Sequence, residues 1–370
     1  MKLLMISGDR MLARGKQGAF YATLEELSKH FERIDVITPG VKGPSAKGQV
    51  PKFFGNVFVH PSPRRLWYQP WWIAKKGKEL IDQCRHDVMT VHEFPPFYNG
   101  IGARKLHKKT GIPYALEVHH IVGMPVPADF SEECGRVLSR CYLARDARSA
   151  KKVRTVNKCV SDQLMTFGIP SEKIYLVPSF YLDPDLLQPD PSIAKKYDIV
   201  SAGRMVQNKG FSVLLDAVRD LPDATLLLIG DGPLRRELEQ HAKSIGIINR
   251  VTFAGWLPTA EDVMKTLQSG KLFVMNSVSE GGPRIALEAM ALGLPVIATR
   301  VGVMPDVLHD HHNGVFTRGD RQDLVLKLKE LLSRPERAEQ MGHEARTITE
   351  KFERKTLIKQ YADFLQSLAS

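Results

Sequence analysis

The chain of 370 residues is 43% hydrophobic and 25% charged. This composition excludes a disordered, collagenous or disulfide-framework protein and, at roughly 100 to 200 residues per domain, predicts two domains. Its net charge of +11 is uneven: residues 1–185 hold 28 basic and 18 acidic residues, so +10 falls in the first half and points to an anionic partner there.

In chain order, short β-rich apolar runs alternate with longer helical patterns, the signature of parallel sheets with helices on both faces. The first strand, expected over 2–7, is an apolar run broken at Ser7-Gly8-Asp9. That is far short of a secretory signal or a spanning helix, so a cytoplasmic protein is expected. An amphipathic run over 19–31 follows, then strands over 33–38, 56–60, 87–92, 114–119, 153–157 and 173–177. Cys84, Cys134, Cys141 and Cys159 form no C-x-x-C pair or metal-ligand spacing and read as small buried apolar residues in a reducing compartment.

A Pro-rich stretch from Val177 to Pro184, continuing to Pro189 and Pro191, is neither helix nor central strand and reads as the interdomain linker. Strands over 198–202, 225–229, 250–254, 271–276 and 295–299 then compose a second doubly wound unit. Leu357, Tyr361, Phe364, Leu365 and Leu368 fall at helical spacing, giving a terminal helix expected to return to the first domain. The expected division is 1–185, 186–352 and a C-terminal helix over 353–370.

Ligands of open parallel sheets bind beyond the carboxyl ends of the strands. Four corners of the second half stand there. At the first, Gly203-Arg204 precedes Lys209-Gly210; a Gly admits close backbone approach, and Arg and Lys five residues apart can share one diphosphate. The second, Gly230-Asp231-Gly232-Pro233, is a tight turn with Pro233 expected at a first helical position, and Arg235 stands where a dinucleotide fingerprint has its third Gly. The third, from Phe253 to Trp256, offers backbone groups and an aromatic face to a base.

The fourth corner runs from Asn276 through Glu280-Gly281-Gly282-Pro283-Arg284-Ile285 to Glu288 and Gly293. Pro283 is expected at the first helical position and Gly293 just past the helix end, so the N-terminus over Arg284 and Ile285 opens on the binding edge, where amides hold phosphate. Glu288 lies five residues beyond Pro283, about 7.5 Å along the axis, so Glu280 and Glu288 can grip different parts of one elongated ligand.

These residues resemble the retaining glycosyltransferases of family 4. Glu280 and Glu288 match that family's Glu, seven residues, Glu signature; Gly203-Arg204, Lys209-Gly210 and Gly293-Leu294-Pro295-Val296 match its other donor-half motifs. The resemblance implies a GT-B fold of two facing domains, the first for the acceptor and the second for a UDP- or GDP-linked sugar. It implies that Arg204 and Lys209 neutralise the diphosphate, Glu288 binds ribose, and Glu280 with Gly281 and Gly282 contacts the sugar. Gly203, Gly232, Phe253, Pro283, Arg284 and Ile285 complete the expected donor site. In the first half, Pro113 to His119 resembles the strand ending in the family's sugar-contacting His, and Gly15-Lys16-Gln17-Gly18 its glycine loop, without the usual adjacent glycines. Ser179-Phe180 and Gly302-Val303 replace the common Asn-Gly and Gly-Gly.

The expected activity is retaining transfer to a hydroxyl acceptor, a lipid-linked saccharide or glycan precursor, with no metal or cofactor, since no D-x-D follows a strand of the donor half. A nucleotide-sugar epimerase of the same architecture or a non-catalytic nucleotide-sugar binder are the alternatives. No nucleic-acid motif is present. Finally, Arg64, Arg65, Trp67, Trp71, Trp72, Lys75 and Lys76 place three of the four tryptophans among basic residues. This is the composition of an interfacial anchor for an anionic membrane, or of an acceptor wall.

Overall fold

A computed structural model describes residues 1–16, 19–40, 51–124, 127, 130–179, 181–280 and 282–370. The chain divides into one unit of residues 1–121, 134–179 and 354–370 and a second of residues 122–133 and 180–353.

The first unit is built on an eight-stranded sheet: β1 (Lys2–Ile6), β2 (Arg33–Thr38), β3 (Lys52–Phe53), β4 (Val57–Pro61), β5 (Val88–His92), β6 (Tyr114–Val118), β7 (Lys152–Thr155) and β8 (Ile174–Leu176). Its order is β3-β4-β2-β1-β5-β6-β7-β8, parallel except for β3 against β4. Strands such as Leu3 to Ile6 are buried throughout, as a sheet covered on both faces requires. The run expected as one helix over 19–31 is helix Ala19–Leu27 followed by a 3-10 turn, Ser28–His30. Helix Arg354–Gln366 belongs to this unit; it buries Leu357, Tyr361, Phe364 and Leu365, and Arg354 donates to the carbonyl of Ala22 at 2.5 Å.

The second unit has six parallel strands: β9 (Tyr197–Ala202), β10 (Leu226–Ile229), β11 (Val251–Gly255), β12 (Gly270–Met275), β13 (Val296–Thr299) and β14 (Val315–Thr317). Their order is β11-β10-β9-β12-β13-β14. The chain runs outward from β9 to β11, then returns to β12 on the other side of β9. The direction of winding therefore reverses between β9 and β12, the place where loops diverge and leave a crevice. Both sheets bear out the doubly wound α/β class read from the sequence.

None of the four cysteines is fully buried as expected, Cys84 and Cys159 being half-buried. Cys134 and Cys141 lie exposed on helix Phe130–Ser149, seven residues apart on the same outward stripe as Val137 and Leu138. No helix among the described residues is long and apolar enough to cross a membrane.

Candidate active site

The loops after β9 and β12 are tied together at the reversal point. The Asn208 side chain donates to the carbonyl of Ser279 at 3.0 Å, and the Val278 amide donates to the carbonyl of Asn208 at 2.8 Å. Gly210 permits this approach: its φ is +64°, and a Cβ there would stand 2.2 Å from the carbonyl oxygen of Asn276. The result brings Lys209 and Glu280, 71 positions apart, into an ion pair. Ser277 Oγ donates to Glu280 Oε1 at 3.0 Å. The side chains of Lys209 and Glu280 are 20% and 13% exposed, so the pair stands at the rim with little room for water.

Gly203 lies beside this pair, the Lys209 ammonium being 3.8 Å from where its Cβ would be. Arg204 is exposed and forms no ion pair among the described residues. Gly282 and Pro283 lead into helix Arg284–Ala291, whose Glu288 is buried and accepts from Arg284 Nε at 2.8 Å. Burial raises the Glu288 pKa, against the opposing charge of Arg284. Arg284 is thus a partner of Glu288 in this state, and its guanidinium also lies 5.7 Å from the Tyr181 ring. Ile285 is half-buried in the first helical turn.

Several expectations need correction. Pro283 is the cap residue and the helix begins at Arg284; the Ala286 amide donates back to the carbonyl of Pro283 at 2.9 Å. Pro233 likewise precedes its helix, which starts at Arg235 after the cap Leu234. Arg235, which takes the place of a dinucleotide fingerprint's third Gly as read from the sequence, binds Asp231 at 3.1 Å and Glu239 at 2.9 Å. Phe253 is half-buried and packs in part against the apolar core, while Trp256 is 76% exposed. Gly232 fits under Met205, whose carbonyl oxygen would lie 2.5 Å from a Cβ. Gly18 and Gly281 lie outside the described residues. Gly15 caps a 3-10 turn, Leu12–Arg14, and is exposed.

Sequence reasoning missed a cavity of about 490 Å³ over the ends of β12, β13 and β14, bounded by Ser277, Thr299, Arg300, Phe316, Arg318 and Lys327. The signal was weak because β14 has three residues and its cations are already engaged: Arg300 lies 3.7 Å over the Phe316 ring and Arg318 binds Asp320 at 3.1 Å.

In the first unit, His119 follows β6 and its Nε2 lies 3.2 Å from Glu117 Oε2. Desolvation, with the charges of His92 and Arg154, pushes the His119 pKa down to about 4, so the ring is neutral at pH 7. Its side chain is 37% exposed, and the nearby Arg154 guanidinium disfavours a second positive charge on the ring. Glu117 is buried, yet Arg154 at 2.5 Å and the two imidazoles hold it well below the usual carboxylate range. His92, Glu117 and His119 lie close enough to share a metal ion. However, the Arg154 guanidinium already occupies Glu117 Oε2, and the hydroxyls of Thr90 and Tyr361 donate to Oε1. A carboxylate so fully hydrogen-bonded is a poor cation ligand.

One residue beyond β5, Glu93 is buried against Asp146, which Arg104 binds. Burial and the Asp146 charge raise the Glu93 pKa, and burial pushes Asp146 up to about 6. Such raised values mean the protonated pair stabilises the fold below about pH 4, and this is lost as pH rises through the folded values. Glu93→Gln, which cannot ionise, is expected to gain about 1 to 3 kcal/mol relative to the wild type between pH 4 and pH 8. Denaturant melts at both pH values check this; a pH-independent difference would contradict it.

Of the anchor candidates, Trp67 and Trp71 are 56% and 53% exposed, and Lys105 stands 4.4 Å from the Trp71 ring centroid. Arg65 and Lys75 are exposed, and Arg64 lies over Tyr68 at 4.7 Å. Trp72 does not join this patch: it is half-buried, and its indole donates to the carbonyl of His60 at 3.4 Å. Lys76 is turned to Glu79 at 2.6 Å.

Comparison with known proteins accounts for both units. Residues 19–181 match the family described as glycosyltransferase family 4 and residues 185–348 the family described as glycosyl transferases group 1. The chain is 27% identical over 370 residues to the sulfoquinovosyl transferase of Arabidopsis thaliana, covering 92% of this chain and 68% of the relative. It is 27% identical over 372 residues to the GDP-mannose-dependent alpha-(1-6)-phosphatidylinositol monomannoside mannosyltransferase of Mycolicibacterium smegmatis, covering 92% and 91%. The fold matches Anabaena HepE, solved with UDP and glucose, at a TM-score of 0.77, 21% identity and coverage of 99% and 100%.

Proposed function

Because this chain belongs to the family 4 glycosyltransferases of GT-B fold, we propose that it transfers a sugar from a UDP- or GDP-linked donor, with retention of configuration, to a hydroxyl of a lipid-linked saccharide. The observation that carries this reading is the pairing of Lys209 with Glu280 beside Gly203, at the open end of the helix that holds Glu288. Breaking a glycosidic bond to diphosphate leaves negative charge on the departing phosphate. Lys209 and Arg204 are cations placed to receive it, together with the start of helix Arg284–Ala291. Glu288, which among the described residues accepts from Arg284 alone, takes the vicinal hydroxyls of ribose. Glu280, once Lys209 turns to phosphate, takes hydroxyls of the sugar. The donor half supplies this charge from its own side chains, and we propose no metal. In the first unit His119 is the sugar-contacting imidazole. The leaving phosphate oxygen takes the acceptor proton on the face of departure.

The name of the Mycolicibacterium smegmatis relative, a phosphatidylinositol monomannoside mannosyltransferase, supports a glycolipid acceptor. The exposed Trp67 and Trp71 beside Arg64, Arg65, Lys75 and Lys105, in a half of charge +10, support work at an anionic membrane face. A thermal-shift panel of nucleotide sugars tests the donor, since ligand at 100-fold excess over Kd adds about 2.7 kcal/mol; the anomeric configuration of the product tests retention. Trp67→Ala with Trp71→Ala is expected to lower binding to anionic liposomes at least about 10-fold in co-sedimentation, with binding of both forms falling as salt rises. Binding indifferent to lipid charge would contradict the membrane reading.

A further inference from the structure

Glu117 gathers partners from three strands or strand ends and the C-terminal helix. Thr90 and His92 come from β5, His119 from just beyond β6, Arg154 from β7 and Tyr361 from helix Arg354–Gln366. Register explains the row: His92 pairs with Glu117 across β5 and β6, and Glu117 with Arg154 across β6 and β7. Arg154 is itself fixed, donating to the carbonyls of Val177 at 3.0 Å and Pro178 at 2.8 Å, with its guanidinium 3.8 Å over the Tyr361 ring.

We propose that Glu117 is a positioning residue for His119: it fixes the imidazole as the Nε2–H tautomer and so leaves Nδ1 as the nitrogen that accepts a hydrogen bond from a hydroxyl of the donor sugar. An ionised carboxylate only accepts, so the Nε2 atom 3.2 Å from Glu117 Oε2 must carry the hydrogen. A neutral ring then has a lone pair on its other nitrogen, and Nδ1 makes no hydrogen bond among the described residues. Arg154 keeps Glu117 ionised, while Thr90 and Tyr361 hold Oε1 and stop the carboxylate from rotating. The buried tyrosine hydroxyl remains a donor, because burial and the Glu117 charge raise its pKa well above 10. The role given to Nδ1 rests on reading His119 as the sugar-contacting residue; the tautomer does not.

The test is a two-bond proton–nitrogen correlation spectrum of the full chain labelled at histidine nitrogen, without donor, with His119 assigned through His119→Asn. The expected wild-type result is a single Nε2–H tautomer that does not protonate between about pH 6 and 8. Glu117→Gln, whose amide both donates and accepts, is expected to give mixed tautomers and to lower kcat at least about 10-fold, as when a carboxylate that sets a tautomer is lost elsewhere. Tyr361→Phe keeps the packing and loses one hydroxyl; it is expected to lower kcat roughly 2-fold to 10-fold with the donor KM unchanged, the effect of one hydrogen bond. An Nδ1–H tautomer in the wild type overturns the proposal whether or not the variants fold. So does a Glu117→Gln form with unchanged tautomer and kcat. Failure of every nucleotide sugar to bind would instead overturn the function proposed above and the role of Nδ1 with it, leaving the tautomer to be decided by the spectrum.

Discussion

Lys209→Ala is expected to lower turnover by roughly 100-fold to 1,000-fold, the usual effect of removing one donor that meets charge developing in the transition state. The ammonium is held in place by Glu280 and by the position of Lys209 at the end of the 3-10 turn Gln207–Lys209, and it stands next to Gly203, where no side chain shields it. A diphosphate carries more charge than Glu280 and binds through several oxygens, so it displaces the carboxylate as the partner of Lys209. Removing Lys209 leaves Glu280 without its cation and close to the incoming phosphates, so the variant loses attraction and gains repulsion. Initial rates at saturating donor measure the loss; a rate within about 2-fold of the wild type would contradict the assigned role.

The second large effect is expected from Gly230→Ala. Gly230 ends the β10 corner with φ +122°, and its Cβ would stand 2.1 Å from the carbonyl oxygen of Gly203. Neither the dihedral nor the contact can relax locally, because the Gly203 amide is tied to the carbonyl of Ile229 at 2.9 Å and the Gly230 amide to that of Gly255 at 2.8 Å. Strain in such a region costs about 1 to 3 kcal/mol, and overpacking about as much again. The β9 corner must move, carrying Gly203 and Arg204 with it. Unfolding midpoints should therefore fall by the equivalent of about 2 to 5 kcal/mol, with donor affinity falling in parallel. A variant as stable as the wild type, with unchanged affinity, would show that the corner tolerates a side chain.

The sequence made the alternating architecture legible because apolar runs such as Leu226 to Ile229 are fully buried, and their composition alone declares them strands. Short edge strands were not legible. Lys52–Phe53 has two residues and Val315–Thr317 three, too few for any periodicity. Helix starts at Pro283 and Pro233 were misplaced by one or two residues, since proline is compatible with a cap as well as with a first turn. A strand end gives no sign of how far each side chain enters the core: Phe253 is half-buried against it and Trp256 stands outside. Lys209 and Glu280 could be matched only through motif resemblance, as nothing local links residues 71 apart. The Glu117 cluster had no local signal either, apart from a lone carboxylate in the buried strand Tyr114–Val118. Such a residue must find partners, and here they come from across the sheet and from Tyr361, 244 residues away.

The central claim is that the second unit binds the diphosphate of a nucleotide sugar through Lys209 at the reversal point of its sheet. Calorimetric titration of the wild type and of Lys209→Ala with UDP- and GDP-linked sugars at one fixed salt concentration tests it most directly. One donor is expected to bind the wild type, and Lys209→Ala to weaken that binding at least about 10-fold, the value of a charge-assisted hydrogen bond. Equal affinity of both forms for that donor, or no binding of any nucleotide sugar to the wild type, would contradict it.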